Sequence, residues 1–194
     1  MCGTELQPLQ DGATDVQGIH THGDGLVHIH PFTRQAAGKR ATLAKYFKQV
    51  GFTVTDSGFQ LPDGMTMEDG STTVEEGETT CGGKPGELVL AHWEDATTAA
   101  SSEPDKIYRE GFGDVRFSEN LGAYTLAFIP KGSDGDINAP SSAASIAELG
   151  ACDGPNPPAS CGPTGGATTV PTVPETTGDT TADTTATTAA GDGG

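Results

Sequence analysis

Two short runs of alternating apolar and polar residues near the N-terminus predict a β-hairpin. The runs are Gly18–His22 and Leu26–His30, within the stretch GIHTHGDGLVHIHPF. They are separated by a Gly-Asp-Gly sequence, a combination that favours tight turns. Pro31 ends the second run because proline cannot donate a hydrogen bond to a strand ladder.

A helical pattern follows in AGKRATLAKYFKQVG, residues 37–51. Leu43, Phe47 and Val50 recur at the spacing of one helix face and predict a stripe directed at the core. Gly51 supplies a C-terminal stop, since glycine readily adopts the left-handed conformation found after helix ends.

The remaining pattern predicts strands. FTVTDSGFQLPDG, residues 52–64, reads as a short hairpin, and Met65–Gly86 as a long acidic loop. Glu87–Trp93 and Ala123–Pro130 are strongly typical of strands, whereas KIYREGFGDVRF between them is weaker. The order of hairpin, helix and several strands predicts a single small α+β domain. It is the order of a β-grasp-like fold, in which one helix packs across a mixed sheet.

Composition changes near residue 140 and divides the chain into three parts. Residues 1–139 are predicted to form the α+β globular domain, and residues 140–154 a short helix or linker. Residues 155–194 are rich in Thr, Ala, Gly and Asp and have almost no large apolar residues. Such a segment cannot bury enough apolar surface to offset the entropy of ordering, so we predict a disordered tail.

The length of the hairpin turn decides where the histidines of this segment point. A two-residue turn would pair His22 with Val27 and place the two His-x-His pairs on opposite faces. A three-residue loop pairs His22 with Leu26 and His20 with His28, so that all even-numbered positions share one face. Val27 and Ile29 would then face the core, which favours this second register.

On that register the hairpin is a candidate metal site. Opposed imidazoles lie close enough for their nitrogens to converge on one zinc or copper ion. Asp24 is interpreted as a ligand, as an acceptor that orients a ligand, or as a residue that simply favours the turn. His92 is a possible additional ligand, or a structural histidine. The predicted ligands are His20, His22, His28 and His30.

The net negative charge limits the classes of partner that the chain is expected to bind. The formal net charge is −17 and the pI near 4.3. Nucleic-acid binding requires clustered Lys and Arg to neutralise phosphates, so neither a nucleic acid nor an anionic lipid surface is expected as a partner. No apolar segment is long enough to insert into a membrane. The pattern does not identify a protein partner.

Four cysteines allow two disulfides, which would require an oxidising compartment. Cys152 and Cys161 bracket a short Pro/Gly loop, which leaves Cys2 with Cys81; four reduced thiols are the alternative. The N-terminal residues MCGTELQPLQDG lack the basic and apolar regions of a signal peptide. The possible disulfides and the missing signal peptide point to different compartments. A start codon assigned too far downstream would reconcile them.

Enzyme motifs fit only in part. HTHGDG matches five positions of the His-x-His-x-Asp-His motif of the metallo-β-lactamase superfamily, but Gly25 stands where the last histidine belongs. The cupin motif requires a Glu after His-x-His that is missing here. GETTCGGKPG places Gly83 where a phosphate loop has its lysine. We therefore assign no catalytic residue, and whether the chain is an enzyme stays open.

Several segments together resemble an uncharacterised family of secreted or membrane-anchored proteins of high-GC Gram-positive bacteria. The resemblance rests on the His-Thr-His-Gly-Asp-Gly hairpin with His-Pro-Phe, the Ala-Thr-Leu helix, a Cys-Gly-Gly-Lys-Pro-Gly turn and the last strand. The matching residues are 18–32, 36–51, 81–86 and 125–130. The resemblance implies an extracytoplasmic domain, secreted or on the cell surface, and implies no activity.

Three functional hypotheses follow. The leading one is an extracytoplasmic domain that binds copper or zinc through the four-histidine hairpin. The alternative is a non-catalytic protein-interaction module whose histidines are structural or pH-sensitive. The third is a metal-dependent enzyme, which would need an open coordination position and a pocket lined by groups beyond the four histidines.

Overall fold

The order of elements along the chain is a hairpin, a helix and then mainly strands. The structure, a computed structural model, describes residues 5–12, 14–133 and 137–146. Single 3-10 turns lie at Arg34–Ala36, Gly38–Arg40, Phe112–Asp114 and Ser141–Ser145. The strands and α-helices are β1 (Ile19–His20), β2 (His28–Ile29), α1 (Leu43–Gln49), β3 (Thr53–Val54), β4 (Gly58–Gln60), β5 (Thr73–Glu75), β6 (Thr80–Cys81), β7 (Lys84–Trp93), α2 (Ala96–Ala99), β8 (Lys106–Tyr108) and β9 (Ala123–Pro130).

The central sheet is built on β7, the longest strand. β9 pairs with it in an antiparallel ladder that runs from Gly86↔Pro130 to Trp93↔Ala123. β6 and β8 pair with other parts of β7, also antiparallel. From Leu88 to Trp93 every residue of β7 is buried, as a continuous apolar run in a doubly covered strand requires. The two strands that the sequence marks most clearly are therefore confirmed.

Helix α1 supplies the predicted core stripe but is shorter than the pattern indicates. Leu43, Phe47 and Val50 are all buried. The predicted start at residue 37 is wrong, because Gly38 has a positive φ of 54° and Thr42 is extended, so the helix begins at Leu43. At the other end Gly51 has a φ of 70°, which confirms the predicted glycine stop.

A second sheet consists of β3, β4 and β5. The predicted hairpin is present as β3 and β4, with Val54 opposite Phe59. The prediction of one long loop over Met65–Gly86 is wrong, since this range contains β5, β6 and the first residues of β7. Among β5 residues only Val74 is apolar; it is 1% exposed. One apolar residue between two polar ones gives too short an alternation to predict a strand.

These sheets confirm a small α+β domain but not a β-grasp topology. Every strand pair in the described ranges is antiparallel, and the strands are distributed over three sheets instead of one mixed sheet. Of the short helix or linker expected over residues 140–154, the described residues end at 146 and include the 3-10 turn Ser141–Ser145. No helix in the part of the chain that the structure describes is long and apolar enough to cross a membrane.

Some predictions fall on residues that lie outside the described ranges. These are the tail at 155–194 and the disulfides, because Cys2, Cys152 and Cys161 all lie there. Cys81 itself is described: it is buried, and its Sγ lies 3.6 Å from the carbonyl oxygen of Phe128.

Among the residues that the structure describes, buried side chains form three clusters. The main core lies between α1 and the sheets and comprises Leu43, Phe47, Val50, Phe52, Leu61, Met67, Val74, Leu88, Leu90, Phe112 and Val115. A second core at the far end of β7 comprises Ala91, Trp93, Ala96, Ala99, Ala123 and Ala143. There the Trp93 indole N–H donates to the carbonyl oxygen of Ser102 at 3.0 Å. The hairpin has its own small core of Ile19, Ala36 and Ala41.

Tyr46 on α1 packs against both the main core and the hairpin core. Burial raises the pKa of Tyr46 to about 12; a hydrogen bond with the Thr21 side chain acts in the opposite direction, and the charges of Asp11 and Asp24 add to the increase. The neutral phenol is thus the form that the folded state favours. Stability contributed by this group is complete below the ordinary pKa of 10.0 and declines as the pH rises toward 12.

We predict that Tyr46→Phe makes the free energy of unfolding less dependent on pH in the alkaline range. Urea unfolding of wild type and variant at about pH 7, 9 and 11 measures this, since the phenylalanine has no proton to lose. The pH 7 pair controls for the loss of the hydroxyl. Parallel stability curves for the two proteins would contradict the prediction.

Candidate functional site

The hairpin adopts the predicted three-residue-loop register. His20 lies opposite His28 and Ile19 opposite Ile29. Beyond the strand ends, His30 N–H donates to the carbonyl oxygen of Gly18 at 2.9 Å. Gly23 and Gly25, on either side of the turn aspartate, both have positive φ. Glycine is the residue that adopts this conformation without strain, so the turn chemistry sets the register.

The inward face of the hairpin differs in part from the prediction. Val27 packs against the hairpin core, as expected. Ile29 was expected to face the core, and this is wrong: it is 38% exposed, whereas its partner Ile19 is 1% exposed. The reason is the narrowness of a two-stranded sheet, because no further strand covers β2 within the described ranges.

The structure brings the four hairpin imidazoles together. His20 is central, with its ring centroid 5.0 Å from that of His22, 5.6 Å from His28 and 4.6 Å from His30. His22 and His28 are 4.6 Å apart. The Nε2 atoms of His20 and His22 are separated by 3.3 Å. One face thus carries four adjacent imidazoles.

Asp15 is part of this site, although the pattern of residues did not indicate it. Its Oδ2 lies 2.7 Å from Nδ1 of His20, and its Oδ1 accepts the backbone N–H groups of Gln17 and Gly18 at 2.8 and 2.7 Å. Burial raises the pKa of Asp15, but these hydrogen bonds outweigh burial and leave the pKa below its ordinary value. The Asp-Val-Gln-Gly sequence before the first strand is the signal of such a turn.

The ionised Asp15 has a consequence for the His20 ring. A carboxylate can only accept a hydrogen bond, so the proton of a neutral His20 resides on Nδ1. Its Nε2 then carries the lone pair, and that nitrogen faces Nε2 of His22. The geometry therefore presents an imidazole nitrogen as an electron-pair donor to the middle of the cluster.

Asp24 has the turn role that was one of the alternatives predicted for it. Its Oδ1 accepts the backbone N–H of Leu26 at 3.0 Å, which stabilises the turn. Its Oδ2 lies 3.5 Å from Nε2 of His28. His28 is 7% exposed, so this carboxylate lies beside a buried imidazole.

His92 lies in the central sheet instead of the histidine cluster. Its ring stacks on Tyr124 at 4.5 Å, and its Nε2 lies 3.2 Å from Oε2 of Glu119. Among the described ring contacts it joins none of the hairpin histidines. These contacts correspond to the structural role that the sequence left as its alternative.

The hairpin cluster is not arranged as a metal centre. Within residues 5–12, 14–133 and 137–146, no group of three or more His, Cys, Asp or Glu side chains is placed so that it could hold a metal ion. Comparison of the chain with protein families, with curated proteins and with solved structures finds no match.

The hairpin depends on glycine at position 18. Gly18 has a φ of 78°, and a Cβ there would collide with the carbonyl oxygen of His30. Gly38 also has a positive φ, of 54°, but a Cβ added to it would meet nothing within 4 Å. Alanine substitutions at these two glycines therefore distinguish the cost of backbone strain from the cost of steric collision.

We predict that Gly18→Ala destabilises the protein by more than about 2 kcal/mol, because the strain and the collision add. Gly38→Ala, the matched control, should cost about 1 kcal/mol from strain alone. Urea unfolding measures both, and amide chemical shifts of residues 17–32 show whether the hairpin has opened. Equal losses of stability in the two variants would contradict the close approach at Gly18.

Proposed function

We propose that this domain binds one divalent transition-metal ion, copper(II) or zinc, through His20, His22, His28 and His30. The observation that carries the proposal is the 3.3 Å separation of the Nε2 atoms of His20 and His22. Two nitrogens bound to one tetrahedral ion at about 2.0–2.1 Å are about 3.3–3.4 Å apart. An ion would take the place of the proton at this nitrogen separation, after the two rings turn so that both lone pairs point at it.

Asp15 supports the same proposal. Histidines that bind metals usually donate their second ring N–H to a carboxylate, which fixes the ring and raises the basicity of the ligand nitrogen. The 2.7 Å contact from Nδ1 of His20 to Asp15 has this form. Because the Gln17 and Gly18 backbones hold the carboxylate, the His20 ring is oriented before any ion arrives.

His28 and His30 would complete the coordination after rotation of their rings. Both lie within 5.6 Å of His20 by ring centroid, a distance that side-chain rotation can convert into a shared ion. His28 would leave its position beside Asp24, and the carboxylate would then balance part of the charge of the ion. Imidazole ligands suit copper and zinc equally, and copper(II) binds more strongly at comparable sites.

The location proposed for this domain is extracytoplasmic, secreted or at the cell surface. The support is the even number of cysteines and the family resemblance of the hairpin, helix and last strand. An oxidising environment also keeps copper in the divalent state that imidazole nitrogens bind well.

A second function is a non-catalytic interaction module whose hairpin histidines are structural or form a pH-sensitive surface. The observation that favours it is His28, which is buried beside the carboxylate of Asp24. Such a histidine can stabilise the turn by itself. Metal stoichiometry separates the two functions.

We predict about one equivalent of copper or zinc per chain, lost in the His20→Ala/His28→Ala double variant. The measurement is elemental analysis of the tag-free 194-residue protein after incubation with each ion and gel filtration. His92→Ala is the control, because it removes an imidazole that lies in the central sheet. Retention of metal by the double variant, or absence of metal from the wild type, would refute the hairpin site; the second result favours the interaction module.

We further predict that Asp15→Asn weakens metal binding about 10- to 100-fold, as expected for a residue that orients a ligand. Competition titration with a chromophoric chelator measures the affinity, and Asp63→Asn, an exposed carboxylate, is the control. Nitrogen-15 spectra of the imidazoles give an independent readout. In the wild type they should show His20 protonated on Nδ1, and this preference should weaken in the variant. Unchanged affinity and tautomer would exclude a positioning role.

A further inference from the structure

A cavity of about 1270 Å³ lies between the hairpin, β9 and residues 137–146. Its floor is the main core, through Phe47, Phe52 and Leu90. Ligand sites in proteins usually measure about 300–1000 Å³, so this space is large enough for a drug-sized molecule. The hairpin contributes Val27 and Ile29 to its apolar wall, and His28 and His30 line it as well.

The described walls of the cavity are aromatic and contain neither Lys nor Arg. Seven of the ten Phe and Tyr residues of the chain line it. The described residues of the lining also include five carboxylates and the histidines His28 and His30. An apolar molecule with an anionic head would therefore find no Lys or Arg among them, whereas a cationic head would find several carboxylates.

One part of the wall has the chemistry that recognises an ammonium group. The Phe117 and Tyr124 rings meet edge to face at 5.6 Å, and both line the cavity. The carboxylate of Glu119 lies in the same wall, held by the Ser118 hydroxyl at 2.6 Å and by His92 at 3.2 Å. Aromatic faces attract cations through their quadrupoles, and a fixed carboxylate beside them adds a full charge.

Strand β9 continues the cavity wall with apolar side chains. Leu126 and Phe128 follow Tyr124 at alternate positions, so all three belong to the same face of the strand. They are only partly buried where they pack against the main core. Apolar side chains left partly open beside a cavity commonly mark a binding surface.

We propose that this cavity binds an amphipathic organic cation. The ammonium head lies against Glu119, Tyr124 and Phe117, and the apolar body extends along Leu126 and Phe128. Among the described ring pairs no hairpin histidine contacts the residues that hold the head group, but His28 and His30 line the same cavity, so the cation is tested on the metal-free protein.

The test compares two probes that share a ten-carbon chain and differ in the charge of the head. Decyltrimethylammonium and decanoate are titrated into the metal-free full chain by calorimetry, below their micelle concentrations and at physiological ionic strength. The expected result is saturable binding of about one cation per chain, with decanoate at least about tenfold weaker. Equal binding of both probes, or saturable binding of neither, would overturn the proposal.

Substitution of single carboxylates tests whether Glu119 belongs to the binding site. Glu119→Gln should weaken binding of the cation about tenfold and leave decanoate unchanged or slightly improved. Glu103→Gln is the matched control: it removes one charge from an exposed carboxylate that does not line the cavity. If the two variants weaken cation binding equally, the preference for the cation arises from the net charge of the protein. That result would overturn the proposed site.

Circular dichroism shows whether Glu119→Gln folds. If it does not, a third variant still tests the proposal. Leu126→Trp fills the cavity from β9 and should abolish binding of the cation without altering the carboxylate. Undiminished binding in a folded Leu126→Trp protein would place the cation elsewhere and overturn the proposal.

Discussion

Strand β7 is the element on which the rest of the domain depends. It is buried on both faces and pairs along both edges, so every other strand of the central sheet pairs with it. Leu88 and Leu90 belong to the main core, whereas Ala91 and Trp93 belong to the second core. One strand thus couples two separate apolar clusters, and its replacement by anything less apolar would weaken both.

The hairpin is attached to this framework much more lightly. It has two residue pairs of its own and a core of three small or medium side chains, against which Val27 and the shared side chains of Tyr46 and Phe117 pack. A two-stranded hairpin is marginally stable by itself. An ion held by histidines from both strands would add its binding free energy to the folded hairpin, so a metal would stabilise the weakest part of the domain.

The sequence predicted those features that arise from long or regular patterns. β7 and β9 are long strands rich in apolar residues. The Gly-Asp-Gly turn left two registers open, and the apolar Val27 and Ile29 selected the one that pairs His20 with His28. The prediction failed where tertiary context decides. Gly38 delays the start of the helix through its backbone conformation, and Ile29 is exposed because no further strand covers β2 within the described ranges.

The candidate site also combines features that the sequence predicts with features that only the packed fold determines. Collecting four imidazoles on one face follows from the two-residue period of a strand, which a sequence displays directly. The contact of Asp15 with His20 depends on how the chain turns before the strand begins, and spacing alone does not encode that turn. Similarly, the wall formed by Phe117, Glu119 and Tyr124 unites a loop with a strand, and only the packed fold brings them together.

The single tryptophan of the chain gives this architecture an internal optical reporter. Trp93 is buried at the end of β7, with its indole N–H bound to Ser102, in a cluster that shares no residue with the hairpin core. Its fluorescence therefore follows the integrity of the central sheet. Opening of the hairpin would leave the emission of Trp93 unchanged until the sheet itself unfolds, so local and global unfolding can be distinguished in one unmodified protein.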